Sequence, residues 1–279
     1  MDAAAGEVMR YLAPAKLNLF LHITGRRTDG FHDIETVFQL VELHDTLSIE
    51  TRADGRIVRE PAPTDPLLAS LHDDEDLTVR AARMLKEQSG TSLGASIHVE
   101  KRIPAGGGLG GGSSDAASVL RALNEQWELH WPVERLAELG VELGSDVPVF
   151  VHARNAFGRG RGEQLTPLAL PACWFLIVDP GVAISTRELF AAPELTRDTP
   201  ALTIRALPPA GGHNDFEPVV RARYPRVAAV LERLAPWGSR LTGTGACVFT
   251  SFETRAAAEA VATGLPGDWR AYVTRGLAS

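Results

Sequence analysis

Length, composition and charge set the first limits on this chain. It has 279 residues, 44% of them hydrophobic and 23% charged, which is the balance of a soluble globular protein with one large domain or two modest ones. A formal net charge of −7 at pH 7 argues against a broad basic face for nucleic acid. An anionic substrate would therefore have to be held by local devices such as backbone N–H groups.

The cysteines and the apolar runs point to a cytoplasmic protein. The only two cysteines, Cys173 and Cys247, are too few for a disulfide framework, and the sequence has no CxxC or Cys/His cluster for zinc; each cysteine lies in an apolar run. We interpret both as small buried residues in a reducing compartment. Residues 1–9 have no apolar core, so we expect no signal peptide there, and the longest apolar runs have the length of a strand, far short of a membrane span.

In the first half of the chain, alternation of period two predicts strands and helical spacing of apolar residues predicts helices. Strands are predicted at 17–24, 34–41 and 96–101, and a hairpin at 47–50 and 56–59 around an Ala-Asp-Gly turn. Predicted helices carry Leu77, Ala81, Met84 and Leu85, then Ala117, Leu120 and Leu123 behind a cap at Ser113 or Ser114, then Leu136 and Leu139 behind Pro132.

The second half differs in texture. Residues 154–162 are rich in Gly and Arg and predict a hinge, which divides the chain into domains 1–155 and 156–279. Beyond it we expect a strand at 174–178, an irregular stretch at 193–212 and a helix carrying Val227, Val230, Leu231 and Leu234. A segment at 240–252 with an internal Gly243-Thr244-Gly245 turn follows, then a helix at 256–263 and a strand near Tyr272. Hairpin-like connections with helices between them favour an α+β fold.

The segment from Pro104 to Ser114 contains six glycines in seven positions, and glycine loses the most backbone entropy on ordering. Such a loop, followed directly by a helix, points unpaired N–H groups and a positive dipole end at an anion, most naturally phosphate. A flexible linker is the plainer interpretation, but linkers rarely separate a patterned strand from a capped helix. No lysine follows for a Walker A loop, and the literal GxGxxG match at Gly106, Gly108 and Gly111 lacks the acidic residue of a dinucleotide site.

Two further segments carry polar residues in suggestive places. In Pro14-Ala15-Lys16-Leu17-Asn18, a strand places Lys16 and Asn18 on one face, where both could meet a polar substrate. In Gly144-Ser145-Asp146-Val147-Pro148-Val149-Phe150, Asp146 is predicted to stand between a helix end and an apolar strand. Each signal is weak alone, because an exposed strand lysine is usually plain surface and such an aspartate is often a turn former.

Together, and in this order, the three segments resemble the GHMP kinases, named for galactokinase, homoserine kinase, mevalonate kinase and phosphomevalonate kinase. The glycine stretch is similar to the Pro-x-x-x-Gly-Leu-Gly-x-x-Ser-Ser phosphate loop of that family, and Arg240–Cys247 resembles its second glycine motif. Asp29-Gly30-Phe31-His32 and the form of the Lys16 segment narrow the resemblance to the branch that phosphorylates the 2-hydroxyl of a cytidine diphosphate ester of methylerythritol, in the non-mevalonate isoprenoid route.

The resemblance implies a fold and a set of partners. It implies two domains, an N-terminal one of the ribosomal-S5-domain-2-like type and a C-terminal ferredoxin-like one. It also implies ATP as phosphate donor, Mg²⁺ carried with the nucleotide and no dedicated metal site on the protein. The partner is then a small molecule with a cytidine diphosphate group, with no nucleic acid or membrane, and the protein is a monomer or a homodimer.

The resemblance also implies roles for single residues. Asp146 would be the general base on the acceptor hydroxyl, and Lys16 would hold that hydroxyl. Residues implied to wrap the triphosphate are Pro104, Ala105, Gly106, Gly107, Gly108, Leu109, Gly110, Gly111, Gly112, Ser113 and Ser114, with Leu77 at the adenine. Residues implied to bind the other substrate are Asn18 at the erythritol part, Phe31, His32 and Phe190 at cytosine, and Thr186 nearby.

Two positions depart from the family pattern: Phe31 stands where tyrosine is common, and Asp76 stands where asparagine is expected before Leu77. Three rival functions are weighed. Another GHMP kinase, of the homoserine or mevalonate type, is disfavoured by Asp29-Gly30-Phe31-His32. A non-catalytic ligand sensor is disfavoured because Lys16 and Asp146 are both present. An NAD-dependent oxidoreductase is disfavoured because the chain lacks the complete dinucleotide-binding fingerprint.

Overall fold

The computed structural model of the chain describes residues 9–60, 72, 74–202 and 212–278. The strands are β1 (Met9–Arg26), β2 (His32–Arg52), β3 (Ile57–Arg59), β4 (Gly94–Glu100), β5 (Ala156–Arg159), β6 (Gln164–Pro167), β7 (Trp174–Asp179), β8 (Arg240–Leu241), β9 (Val248–Phe252) and β10 (Arg270–Arg275). The helices are α1 (Leu77–Ser89), α2 (Gly111–Gln126), α3 (Val133–Leu143), α4 (Val147–His152), α5 (Thr186–Ala191), α6 (Glu217–Arg223), α7 (Pro225–Leu234) and α8 (Arg255–Thr263).

The strands form two sheets. The first has the order β3-β4-β2-β5-β6, with β1 also paired to β2, and the second has the order β10-β7-β9-β8. The second sheet is antiparallel throughout, and in the first sheet β3 and β4 pair in parallel while β2 is antiparallel to both β4 and β5. This pairing, with helices between the strands, confirms the predicted α+β class.

The chain divides into two compact units. The first consists of Met1–Pro14, His44–Ile103 and Gly111–Ala153, and the second of Ala15–Leu43, Pro104–Gly110 and Arg154–Ser279. The strands β1 and β2 contribute residues to both units. The domain boundary expected between residues 155 and 156 stays a prediction. The two compact units do not test it, because each unit is made of three separate segments of the chain.

In the second unit the core lies against the second sheet. The central strand β7 is apolar on both faces, with Leu176 and Val178 in the same cluster as Val227 and Leu231 of α7. The helical spacing read from α7 is confirmed, since Val227, Val230, Leu231 and Leu234 are all buried. In the first unit α1 packs against α2, and α3 packs against α4. None of the helices in the described part of the chain is long and apolar enough to cross a membrane.

The hairpin expected between residues 47–50 and 56–59 is wrong. β3 instead pairs in parallel with β4, and β4 lies between β3 and β2, with Leu47 opposite Val99. Most of β4 is buried on both faces, so it needs a hydrogen-bonding partner on each side. Gly94 permits the close approach, because a β-carbon there would lie 2.2 Å from the carbonyl oxygen of Arg56.

Three other local expectations are corrected. The apolar run after Asp146 is helix α4, not a strand; a short run buried on all sides has no readable period, and Pro148 suits a first helical turn. Ser113 and Ser114 are not caps, because α2 already begins at Gly111 after a residue with φ of 72° at Gly110. Residues 156–167, which include most of the expected hinge, form the β5–β6 hairpin, and β5 pairs with β2.

Candidate active site

Lys16 and Asn18 lie on one face of β1, as the alternation predicted, and both are buried. Lys16 is 3% exposed; its Nζ donates to Oδ1 of Asn18 and lies 5.7 Å from the centre of the Phe38 ring. Nδ2 of Asn18 donates to Oγ1 of Thr36 at 2.8 Å. A buried ammonium is unfavourable unless polar groups meet it, so this pair is a built feature of the interior and not plain surface.

The glycine loop is bound to β1 and to the second glycine motif, within the second unit. The backbone N–H of Lys16 donates to the carbonyl oxygen of Leu109 at 3.0 Å, and the N–H of Cys247 donates to that of Gly107 at 3.2 Å. The N–H of Asn18 donates to Oγ1 of Thr242 at 3.0 Å. Strand, loop and second motif are therefore held together by main-chain bonds.

Side chains are excluded from the middle of the loop by this contact. A β-carbon on Gly107 would lie 2.6 Å from Sγ of Cys247, and one on Gly108 would lie 2.2 Å from the carbonyl oxygen of Thr242. Gly108 also has a φ of 75°, whereas Gly106, with a φ of 68°, faces open space. Glycine is thus needed at 107 and 108 because the neighbouring turn packs against the loop. From the sequence, this need is attributed to phosphate alone.

The start of α2 lies in the first unit, beside two other predicted site residues. A β-carbon on Gly112 would be 3.6 Å from Cδ1 of Leu77, and one on Gly144 would be 3.9 Å from Oγ of Ser113. Ser114 is fully buried, and its Oγ has no hydrogen-bond partner among the described residues. The first turn of α2 therefore adjoins both the start of α1 and the segment that leads to Asp146.

Asp146 is half-buried at the residue before α4 and has helical backbone angles. Its carboxylate makes no capping bond to that helix. Gly140 lets α3 and α4 approach, since a β-carbon there would lie 2.9 Å from Cγ1 of Val147. Asp146 belongs to the first unit, whereas Lys16 belongs to the second.

A buried group of charges supports the base of α2. Nζ of Lys101 donates to Oδ2 of Asp115 at 2.7 Å and also to Asp45, which accepts the N–H of Ile103 at 2.9 Å. Burial raises the pKa of the Asp115 carboxyl to about 7, because the nearby Lys101 offsets only part of the lost hydration and Asp45 adds repulsion. Sequence reasoning missed this group, since its members lie in three separate segments.

Phe31 is exposed at the turn between β1 and β2, with 51% of its surface accessible. The guanidinium of Arg161, from the β5–β6 hairpin, lies 4.2 Å from the centre of its ring. One face of the ring is thereby covered by a cation.

His32 and Phe190 are brought together within the second unit. Their rings are stacked with centroids 4.9 Å apart and an angle of 23° between the planes. Phe190 also meets Phe216 edge-on at 4.9 Å, which anchors it to the core. Burial, followed by the charges of Arg197 and Arg26, lowers the pKa of His32.

Thr186 begins α5, the helix that carries Phe190, and Oγ1 of Thr186 lies 2.9 Å from Oγ1 of Thr244 in the second glycine motif. Among the predicted residues of the second unit, two groups are thus brought together. One contains Lys16 and Asn18 with the loop, and the other contains His32 and Phe190.

Two family models match this chain: the one described as GHMP kinases N terminal domain at residues 76–154, and the one described as GHMP kinases C terminal at residues 201–271. A 4-diphosphocytidyl-2-C-methyl-D-erythritol kinase of Thiobacillus denitrificans is 52% identical over 266 residues, which cover 95% of this chain and 94% of that protein. The chain belongs to the 4-diphosphocytidyl-2-C-methyl-D-erythritol kinase family of the GHMP kinases.

Solved structures agree with this family. A crystal structure titled 4-(cytidine 5'-diphospho)-2C-methyl-D-erythritol kinase aligns with a TM-score of 0.81 at 34% identity, covering 96% of this chain and all (100%) of that one. The mevalonate kinase of Methanococcus jannaschii aligns with a TM-score of 0.71 at 16% identity, over 98% of this chain and 99% of that chain, and shares the fold alone. The two-domain α+β fold of the GHMP kinases is confirmed, and the family is that of the main interpretation and not of its rivals.

Asp76, which departs from the family pattern, has a structural use in this GHMP kinase. It caps α1, accepting the N–H of Thr78 at 2.8 Å, and its other oxygen lies 3.4 Å from Nε of Arg59. A carboxylate at a helix N-terminus also meets the positive end of the helix dipole. The negative charge of Asp76 is thus compensated by Arg59 and the helix end.

Sequence reasoning missed several residues that hold the candidate site together. Thr242 lies within the second glycine motif, whereas Thr36 and Arg197 belong to none of the motifs in the sequence. Arg197 contacts His32 from 165 residues away, in a stretch without periodicity. No local sequence signal points to it.

Proposed function

We propose that this chain transfers the γ-phosphate of ATP to the 2-hydroxyl of 4-diphosphocytidyl-2-C-methyl-D-erythritol, a step of the non-mevalonate route to isoprenoid precursors. The observation that carries the proposal is the buried Lys16–Asn18 pair on β1, a strand whose backbone is bonded to the glycine loop. Because this polar pair is fixed next to a loop that can hold phosphate, it could bind a hydroxyl close to the phosphate that is transferred. The family to which the chain belongs supports the choice of acceptor.

The loop and α2 fit a triphosphate. Positive φ angles at Gly106, Gly108 and Gly110 turn the backbone just before a helix of 16 residues, whose first N–H groups have no partner within the helix. Such a helix start favours anions. We propose that residues 104–114 hold the phosphates and that Leu77 contacts the adenine.

Mg²⁺, when bound, would neutralise part of the charge of the phosphates, and the hydroxyls of Ser113 and Ser114 would help to hold it. In the described ranges, no group of three or more His, Cys, Asp or Glu side chains could hold a metal ion. We propose that the metal arrives with ATP. The hydroxyls of Ser113 and Ser114, in the first turn of α2, would be the protein groups that contact it.

The chemistry assigned to this chain is one proton transfer and one phosphoryl transfer. Lys16 would hold the acceptor hydroxyl, and Asp146 would take its proton onto a carboxylate oxygen. The hydroxyl oxygen bonds to the γ-phosphorus while the bond from that phosphorus to the β–γ bridging oxygen breaks, and ADP leaves. Little covalent work is asked of the protein, so positioning carries most of the catalysis.

The remaining predicted residues of the second unit would bind the rest of the acceptor. Asn18 would contact the methylerythritol, Phe31 and Phe190 would offer aromatic faces to cytosine, and His32 would bind its edge. Thr186, at the start of α5, would lie along the same substrate. We further propose that the protein acts in the cytoplasm as a monomer or homodimer, which sedimentation analysis would distinguish.

The test is an ADP-release assay with the cytidine substrate, homoserine and mevalonate supplied side by side. We expect ADP release with the first alone, and ³¹P NMR of the product should show one new phosphomonoester at the 2-position. ADP release with homoserine or mevalonate would favour the rival kinases. Tight binding of the cytidine substrate without ADP release would favour a ligand sensor.

A further inference from the structure

Arg197 follows α5, and its guanidinium is bound on two sides. Nη2 donates to the carbonyl oxygens of Phe190 at 2.9 Å and of Ala192 at 2.6 Å, and Nη1 donates to that of Leu195 at 2.9 Å. Its Nε donates to Nε2 of His32 at 3.2 Å. The carbonyls at a helix end lack partners within the helix, so these bonds both satisfy the end of α5 and hold the guanidinium in one orientation.

This contact decides which nitrogen of His32 carries the proton. A guanidinium N–H can only donate, so Nε2 of His32 must be the unprotonated acceptor and the neutral ring carries its hydrogen on Nδ1. A second proton would have to sit on Nε2, pointing at the Arg197 N–H. Stacking on Phe190 fixes the plane of the ring, and Arg197 fixes its rotation and its tautomer.

We propose that Arg197 is a positioning residue that sets nucleobase specificity by holding His32 as the neutral Nδ1–H tautomer. In the described part of the chain Nδ1 of His32 has no hydrogen-bond partner, so its N–H is available to a ligand. The inference rests on the proposed function, in which the ligand carries cytosine. Cytosine offers acceptors at N3 and O2, whereas uracil has an N–H at position 3. A fixed donor on His32 therefore fits the first edge and opposes the second.

The variants separate this role from simple support of the segment after α5. Arg197→Met keeps the length of the side chain but removes every donor, and Arg197→Lys keeps the charge without the planar fork. Arg223→Met is the matched control, because Nε of Arg223 binds Oε1 of Glu194 in the same segment at 2.7 Å but does not contact His32. His32→Gln assigns the histidine signal.

The tautomer is read directly by ¹⁵N NMR of imidazole-labelled protein above the pKa of His32, without substrate. The wild type and Arg223→Met should show a protonated Nδ1 and a bare Nε2 at His32, and Arg197→Met should show a mixture of both tautomers. A protonated Nε2 in the wild type, or an unchanged tautomer in Arg197→Met, overturns the proposal. If Arg197→Met does not fold, the wild-type spectrum still tests the tautomer, and the spectrum of Arg197→Lys tests the role of Arg197.

Kinetics then test specificity. Arg197→Met should raise KM for the cytidine substrate by about tenfold or more and lower the preference for it over the uridine analogue by a similar factor, with KM for ATP and kcat nearly unchanged. Arg197→Lys should fall between. Equal loss for both analogues would overturn the specificity role. Lack of any ADP release by the wild type with the cytidine substrate would instead reject the proposed function, while leaving the NMR result standing.

Discussion

Two groups of candidate residues in the second unit are fixed in different ways. Around Lys16, strand, loop and second glycine motif are joined by main-chain bonds and by glycines that no side chain could replace. Around His32, the geometry depends on side chains: a stacked ring and an arginine from a distant segment. Changes in the first group should therefore affect the loop and the chemistry, and changes in the second should affect recognition of one substrate.

The largest expected effect is on turnover. Lys16→Met and Asp146→Asn should each fold, bind both substrates and lose about 10²–10⁴ in kcat, the usual contribution of a positioned proton acceptor and its partner group. If both serve the same proton transfer, the double variant should be little worse than either single one. Single-turnover kinetics with circular dichroism as a fold check decides this. A folded variant with near-normal turnover removes that residue from the mechanism.

The second effect breaks the main-chain group directly. Gly108→Val places a β-carbon against the carbonyl oxygen of Thr242 at a φ of 75°, so we expect ATP affinity measured by calorimetry to fall by about 10² and the melting temperature to drop. Gly106→Val is the control: it shares the positive φ but faces open space, so its loss of stability should be smaller.

Equal melting temperatures for the two glycine variants would show that the turn does not constrain position 108. Affinity for the cytidine substrate should change much less than affinity for ATP in both. A uniform loss for both ligands would mean that Gly108→Val disrupts more than the loop.

The third effect is on the side-chain group. Phe31→Ala removes an exposed ring, and base–aromatic stacking contributes roughly 1–3 kcal/mol, so KM for the cytidine substrate should rise by about tenfold while KM for ATP stays unchanged. Phe190→Ala should show the same change in KM and also lose stability, because Phe190 packs edge-on against Phe216. Trp237→Ala, at another exposed aromatic, should change neither KM. Unchanged KM in both phenylalanine variants would place the base elsewhere.

The smallest effect concerns the charges under α2. The Asp115 carboxyl has an ordinary pKa of 3.8, and burial raises it to about 7 in the folded chain, so the unfolded chain loses this proton at lower pH. Its contribution to the free energy of unfolding is therefore greatest below about pH 4 and declines as the pH rises towards 7.

Asp115→Asn removes that decline, and its melting temperature relative to the wild type should rise by a few degrees between pH 5 and 8. Asp45→Asn should instead lower the melting temperature, because Asp45 accepts hydrogen bonds from two backbone N–H groups as well as from Lys101. A pH-independent difference between Asp115→Asn and the wild type would contradict this account.

The two groups also differ in how far sequence could predict them. Lys16 and Asn18 follow from strand alternation, and the loop from its glycines, because these signals lie within a few neighbouring residues. The contact between Arg197 and His32 has no local signal. The same limit explains β3, whose partner β4 lies beyond a whole helix in the sequence, and the Asp45–Lys101–Asp115 group. Helix α4 was misjudged for another reason: a run buried on all sides shows no period.

The contact between Gly107 and Cys247 couples the substitutions that are possible at two positions far apart in the sequence. A methyl group at 107 would need the space that the sulfur of Cys247 now fills, so position 107 cannot gain a side chain while Cys247 keeps its sulfur. Relatives that carry alanine at position 107 should carry a residue smaller than cysteine at position 247. A redesign that exchanges the phosphate loop for another must likewise carry its matching C-terminal turn, because the two segments pack against each other.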